Sequence, residues 1–450
     1  MLRLFHYFQV EQSKKLKHRK ARLRALRYEL SQRHPRFPAT VCRGSDKIFR
    51  MTNPKIFLAV DNCFASKRWT RPREWAAVVK DLGMTLVEAS ADNECDPLYA
   101  DPEYLEDWLR EIETVVEPMG VRVSSFYSGH GTYATLGLGH TDPRNQDRMQ
   151  NHWAKVMIRN AARLGACLGF YAHAFNQATI QGPAAFAAAE ADLYDRLAAL
   201  GTYARECKLK AIGVEQMYSP HQIPWTLEGA CKLMREVYAR KSAPFYLTLD
   251  TGHQYGQRKF LRPPRRKLKQ ALQRLRTSGK LEPGLWLGPD SAYACLKEAA
   301  AAPVAEEAAN LRRLEAEMDR FPHLFAQPED GDTYVWLERL ACYSPIIHLQ
   351  QTEGKSSPHR AFTEEENQRG IIRADKVLKA VATACAQEPD PDLPPHTPEI
   401  YLTIEVFSGT ADLPHDLLGR MAETVAYWRK YVPRDGLTLQ ELLSHNAEPQ

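Results

Sequence analysis

From Lys55 onward, short apolar runs rich in β-branched and aromatic residues alternate with longer stretches in which apolar positions recur at helical spacing. The runs are KIFLAVD, MTLVEAS, VRVSSFY, ACLGFYAHAF, AIGVE, FYLTLD, PIIHLQQ and EIYLTIEV. Between them the pattern predicts helices over about Pro72–Leu82, Asp101–Met119, Arg144–Leu164, Pro183–Glu206 and Trp225–Arg240. Regular strand–helix alternation argues for βα units and a parallel sheet. Eight such strands suffice to close a barrel, so the expected fold is α/β, a (β/α)8 TIM barrel.

The alternation breaks once. The interval from Asp250 to His348 is far longer than those from Glu215 to Asp250 and from His348 to Glu405, and one helix cannot fill it. It holds a basic stretch, Arg262–Arg276, and a stretch rich in alanine and glutamate, Glu298–Arg320. Thr333–Tyr343 is then the expected sixth barrel helix. The excess, about residues 256–332, is read as an insertion between strands six and seven. The expected organisation is a basic extension over 1–50, a barrel over 51–435 and a tail over 436–450.

Charge separates the extension from the body. The net charge is +5, but residues 1–50 hold 14 Lys and Arg against 3 Asp and Glu. The remainder is therefore net acidic, which weighs against a nucleic-acid groove. The leader lacks the apolar core and cleavage site of a secretory signal. Met51 begins MTNPKIFLAVDN, a natural start for a barrel, so residues 1–50 are expected to be an upstream extension or a loose arm. Nine scattered cysteines with no CxxC pair point to reduced thiols and a cytoplasmic setting. No apolar stretch approaches membrane-span length, and no membrane partner is expected.

Four strands end in ligand-type side chains: Glu215, Asp250 with His253 three residues on, His348, and Glu405. Each residue alone reads as a solvated strand end or a wall histidine. Their joint placement at the end where barrel chemistry sits makes them a candidate site for one divalent cation. Oxygen-rich ligation favours Mn2+, with Mg2+ or Co2+ as alternatives.

The order and spacing of these residues resemble the xylose-isomerase-like barrel superfamily, and within it the ketose 3-epimerases. The wider motifs IFLAVDNCFASKRW, SGHGTYAT, GVEQMYSPHQIPWT and HLQQTEGKSSPH resemble the tetrulose-phosphate epimerases of erythritol catabolism, which interconvert D- and L-erythrulose 1-phosphate. The resemblance covers about residues 54–432. It implies that Glu215, Asp250, His348 and Glu405 bind the metal, and that Glu215 and Glu405 exchange the proton beside the ketone. His253 would bind a substrate oxygen. It also implies a small phosphorylated ketose as substrate and a homodimer or homotetramer.

Two departures from the free-sugar epimerases are informative. His221 stands where they carry a second Glu, and Gly354 stands where they carry an Arg. The loop that follows offers Lys355, Ser356, Ser357 and Arg360, a set suited to phosphate or simply a polar loop. Lys67 and Arg68 after strand one are a second phosphate candidate. His130, in the glycine-rich loop after strand three, could reach substrate. Tyr127, Tyr218, Trp225 and Phe64 read as core or pocket wall. An aldose–ketose isomerase or a free-ketose 3-epimerase on the same scaffold remains an alternative. An AP-endonuclease-like phosphodiesterase is a more remote one, disfavoured by the acidic body.

Overall fold

The computed structural model describes residues 53–128, 137–172, 174–241 and 243–447. In it eight parallel strands close on themselves: β1 (Lys55–Asp61), β2 (Leu86–Ser90), β3 (Arg122–Ser128), β4 (Cys167–Phe170), β5 (Ile212–Glu215), β6 (Tyr246–Asp250), β7 (Ile346–Leu349) and β8 (Glu399–Ile404). Each strand pairs with the next. β8 returns to β1 from Lys55↔Glu399 to Val60↔Ile404. β1 meets β2 only at Val60↔Val87 and Asp61↔Glu88, so the two strands part toward their N-terminal ends. There a short β9 (Leu437–Thr438) runs antiparallel to Lys55 and Ile56. The helix Leu439–Ala447 follows, with Leu439 and Leu442 buried. The segment expected as a tail thus joins the folded body, through β9 on β1 and the buried Leu439 and Leu442.

The barrel helices follow the expected pattern. Pro72–Asp81, Pro102–Glu111 and Pro183–Glu206 each begin on a proline, where the missing N–H costs nothing. The insertion differs from its compositional outline. It forms the helices Arg265–Ser278, Asp290–Ala301 and Glu307–Asp319. The alanine- and glutamate-rich stretch is therefore broken, at Ala302 (φ −80°, ψ 157°). Pro303 explains the break, since proline pushes the residue before it out of the helical region. Three cations of the basic stretch are paired within the insertion: Arg262 lies 2.6 Å from Asp319, Arg276 lies 2.8 Å from Glu307, and Arg265 pairs with Glu315. Among the described residues no helix is long and apolar enough to cross a membrane.

Strand parity explains where the chemistry falls. Side chains alternate between the barrel interior and the helices. Ala59, Leu86, Cys167, Ile346 and Tyr401 form an interior apolar layer. Two residues further along β1, β2, β7 and β8 the same parity delivers Asp61, Glu88, His348 and Thr403. Gly213 and Thr248 precede Glu215 and Asp250 in the same way. Gly169 and Gly213 are required by close approach. A Cβ on Gly169 would lie 2.6 Å from Thr248 Oγ1 and 3.2 Å from Ile346 Cδ1, and one on Gly213 would lie 3.1 Å from the Leu247 backbone. Gly169→Ala is expected to destabilise the protein by about 1–3 kcal/mol through overpacking. A lowered urea midpoint with an unchanged slope would confirm it.

Candidate active site

The C-terminal end of the barrel gathers five buried carboxyl side chains, Asp61, Glu88, Glu215, Asp250 and Glu405, around the buried imidazoles of His253, His348 and His359. His348 is the hub. Its Nδ1 lies 3.4 Å from Glu215 Oε1 and 3.2 Å from Glu405 Oε2. Its Nε2 lies 2.7 Å from Glu88 Oε1, so the ring N–H on that side donates to Glu88, and in the neutral ring Nδ1 is the nitrogen that carries the lone pair. Glu88 reaches this position beside a bulge: Val87 pairs with Val123 but Glu88 pairs with Ser125, leaving Ser124 as an extra residue in β3. The Ser124 hydroxyl donates to the Val87 carbonyl at 3.0 Å. Bulges next to active sites commonly re-aim side chains in this way.

The remaining ligand-type groups are held just as firmly. Asp250 accepts from the Gly252 N–H at 2.6 Å and from Gln350 Nε2 at 2.8 and 3.0 Å. His253 donates from Nδ1 to the Gln216 carbonyl at 2.8 Å, leaving Nε2 3.9 Å from Asp250. Tyr127 donates its hydroxyl to Glu215 in a short hydrogen bond and meets the His348 ring edge-on, with centroids 4.6 Å apart. His359 places Nδ1 3.2 Å from Glu405 and stacks on Phe407 at 3.8 Å.

Electrostatics follow from this crowding. Burial disfavours a charged His348, but the carboxylates of Glu405 and Glu88 outweigh it and raise the imidazole well above its usual range. Burial likewise opposes a charged His359, and Glu405 raises it. Burial alone would push Glu405 up; His348 and His359 hold it well below the usual carboxylate range instead. Asp61 is raised well above its ordinary value by burial and then by Glu88 and Glu405.

Such a set fits a divalent cation. Oxygen and nitrogen atoms of Glu215, Asp250 and His348 lie within 4.8 Å of one another, and so do those of Asp250, His253 and His359. His348 Nδ1, His359 Nδ1 and Glu405 Oε2 are buried without a hydrogen-bond partner among the described residues. Unsatisfied buried donors and acceptors are costly, and a cation held by Glu215, Asp250 and His348 would satisfy His348 Nδ1.

Above this floor opens a cavity of about 310 Å³ lined by Glu215, Glu405, His253, His359, Tyr127 and Lys67, among others. The structure thus brings together Glu215, Asp250, His253, His348 and Glu405. Five of the expected substrate-binding residues, Lys355, Ser356, Ser357, Arg360 and His221, are absent from the lining. Lys355 is exposed and 3.4 Å from Glu353. Arg360 pairs with Glu353 at 3.0 Å and Glu366 at 3.3 Å. Ser356 is exposed, and the Ser357 hydroxyl accepts from Gln350 at 2.7 Å. His221 is tied through Nδ1 to the Phe175 carbonyl at 2.8 Å. His130 lies outside the described residues. The sequence reading missed Asp61, Glu88 and His359. Strand parity could have found the first two, whereas His359 lies in a loop whose path no periodicity predicts.

Fold and site together define a (β/α)8 barrel with a carboxylate- and histidine-lined centre at the C-terminal end of its strands. Residues 76–276 match the model of the family described as xylose isomerase-like TIM barrel, a stretch that holds Glu88, Glu215, Asp250 and His253. A D-erythrulose 1-phosphate 3-epimerase from Brucella abortus (strain 2308) is 30% identical over 117 residues, 26% of this chain. The chain spans 34% of the length of that curated relative. The crystal structure of a provisionally assigned xylose isomerase from Rhodospirillum rubrum ATCC 11170 superposes with a TM-score of 0.59 at 18% identity. It covers 83% of this chain and 98% of its own, and it supports the barrel fold.

Two outcomes are expected for metal binding. Glu88→Gln should weaken Mn2+ binding about 10–100-fold by calorimetry, because Glu88 fixes the His348 ring and its tautomer. Since the raised imidazoles must lose protons to ligate, Mn2+ affinity should rise with pH and binding should release protons to the buffer. Affinity independent of pH would refute the assignment of His348 as a ligand.

Proposed function

We propose that the protein is a metal-dependent 3-epimerase that interconverts D- and L-erythrulose 1-phosphate in tetritol catabolism. One observation carries the reading. Glu215 and Glu405 both line the cavity and flank a single buried imidazole, at 3.4 and 3.2 Å from His348 Nδ1. The partial match to an erythrulose-phosphate epimerase supports the substrate class.

Glu215, Asp250, His348 and Glu405 would hold the cation, with Mn2+ expected from their oxygen-rich chemistry. When bound, it supplies Lewis acidity to the ketone and an adjacent hydroxyl. The chain's own groups do the rest. One carboxylate removes the C3 proton; the other, as its carboxylic acid, returns a proton to the opposite face. Tyr127 steadies Glu215, and His348 with His359 steadies Glu405. His253, fixed by the Gln216 carbonyl, presents Nε2 to a substrate oxygen. Aromatic walls from Tyr218 and Phe407 limit water at the reacting carbon.

Metal-reconstituted protein incubated with D-erythrulose 1-phosphate in D2O should place deuterium at C3 and yield L-erythrulose 1-phosphate, read by NMR and chiral analysis. An aldose phosphate as product would instead establish an isomerase using the same enediolate. Glu215→Gln and Glu405→Gln should each retain the fold and lose about 10²–10⁴ in epimerisation. Wild-type turnover in either variant would sink the two-carboxylate scheme.

A further inference from the structure

The lining of the active-site cavity carries a marked imbalance of charge. Asp92, Glu215 and Glu405 are acidic, and Lys67 is the one lysine or arginine among its lining residues. The buried carboxyl groups of Glu88 and Asp250 lie beneath the floor. A phosphate dianion entering such a chamber meets repulsion from every carboxylate. Beyond a metal and the imidazoles of the floor, Lys67 is the lining cation available to offset it.

The local backbone supports a dedicated role. Lys67 has φ 69°, the left-handed region that a non-glycine residue seldom occupies. Residues held there cluster at functional sites, where the surrounding structure over-determines them. Here the surrounding structure is Arg68. Its guanidinium donates to the Ser66 carbonyl at 3.3 Å, Ser408 Oγ at 3.3 Å, the Gly409 carbonyl at 2.9 Å and the Asp412 carbonyl at 2.6 Å. These bonds clamp the loop after β1 to the loop after β8, with Ser66 and Ser408 also lining the cavity. The Lys67 ammonium makes no ion pair among the described residues, whereas Lys355 and Arg360 are already paired and lie off the lining.

We propose that Lys67, with the hydroxyls of Ser66 and Ser408, is the phosphate-recognition element of this cavity and makes it prefer a phosphorylated ketose to the free sugar. The inference rests on the epimerase reading, since it supposes a phosphorylated ketose over the carboxylate pair. A charge-assisted hydrogen bond from an ammonium to phosphate is strong and directional, and the two hydroxyls add donors at the same mouth. The arrangement also orients the substrate, with its phosphorylated end toward the loops after β1 and β8.

The test compares metal-loaded wild type, Lys67→Met, Lys67→Arg and Lys355→Met. C3 deuterium exchange is followed by NMR on D-erythrulose 1-phosphate and on D-erythrulose. Lys67→Met should raise KM for the phosphate ester about tenfold or more with little change in kcat. Exchange of the free ketose should fall far less than that of the ester, Lys67→Arg should restore much of the loss, and Lys355→Met, outside the lining, should match wild type. An unchanged KM in Lys67→Met, or the loss appearing in Lys355→Met, would overturn the proposal. Inorganic phosphate, titrated into the Mn2+-loaded proteins and followed by 31P line broadening, gives a readout without turnover. Broadening in wild type that is lost in Lys67→Met would uphold the phosphate site even if neither ketose exchanged, an outcome that would overturn the epimerase reading alone. No broadening in wild type would overturn the phosphate site.

Discussion

Five carboxyl groups and three imidazoles share one water-poor layer at the end of this barrel, and compensating their charge is the constraint on which the rest of the molecule depends. An uncompensated buried carboxylate is so costly that it takes up a proton or finds a partner. The site uses both routes. Asp61 is pushed toward its neutral form by burial and by Glu88 and Glu405. Glu88 and Glu405 are matched to the two nitrogens of His348. Glu215 takes the Tyr127 hydroxyl, and Asp250 takes the Gln350 amide. His348 Nδ1, His359 Nδ1 and Glu405 Oε2 still lack hydrogen bonds among the described residues. A divalent cation held with Glu215 and Asp250 would compensate the first of these.

Holding such a layer requires a rigid support beneath it. The strand interiors below are filled by small or apolar side chains, including Ala59, Cys167 and Ile346, while Gly169 and Gly213 let neighbouring strands approach. The bulge at Ser124 lets β3 satisfy two demands that a regular strand could not. It pairs Glu88 with Ser125 and still turns Tyr127 inward toward Glu215. Packing below and hydrogen bonding above thus act together, since ligand geometry can be no better than the backbone beneath it.

Much of this was legible in the sequence, and the reasons are physical. The strands have period-two parity and abrupt ends, so KIFLAVD falls at Lys55–Asp61 and FYLTLD holds Tyr246–Asp250 much as read. Glu215, Asp250, His348 and Glu405 stand out because a charged residue after an apolar run is locally conspicuous. Glu88 is less so, since LVEAS continues beyond it and its inward aim depends on pairing with β3. The loop at 353–360 reads as a phosphate cradle by composition, yet Glu353 and Glu366 neutralise its cations. Ion pairing within a loop is a three-dimensional property that residue types alone do not reveal. The break at Pro303 shows the opposite case, a local covalent rule prevailing over a long helix-favouring composition.

The two carboxylates assigned to proton exchange sit in different surroundings, and the difference bears on how the proposed reaction runs both ways. Glu405 is flanked by two imidazoles that hold it ionised, which equips it to receive a proton. Glu215 accepts a hydroxyl hydrogen bond from Tyr127, a neutral donor that steadies the anion without adding charge. Environments that differ in this way are how one site assigns acid and base roles to two like groups. On the proposed scheme the two carboxylates exchange roles between the forward and reverse directions. Because both reach the same imidazole, a charge change at one is felt at the other through His348. On this reading His348 is a ligand and also the electrostatic link between the two proton carriers, and the Glu88 bond that fixes its ring sets the geometry for both.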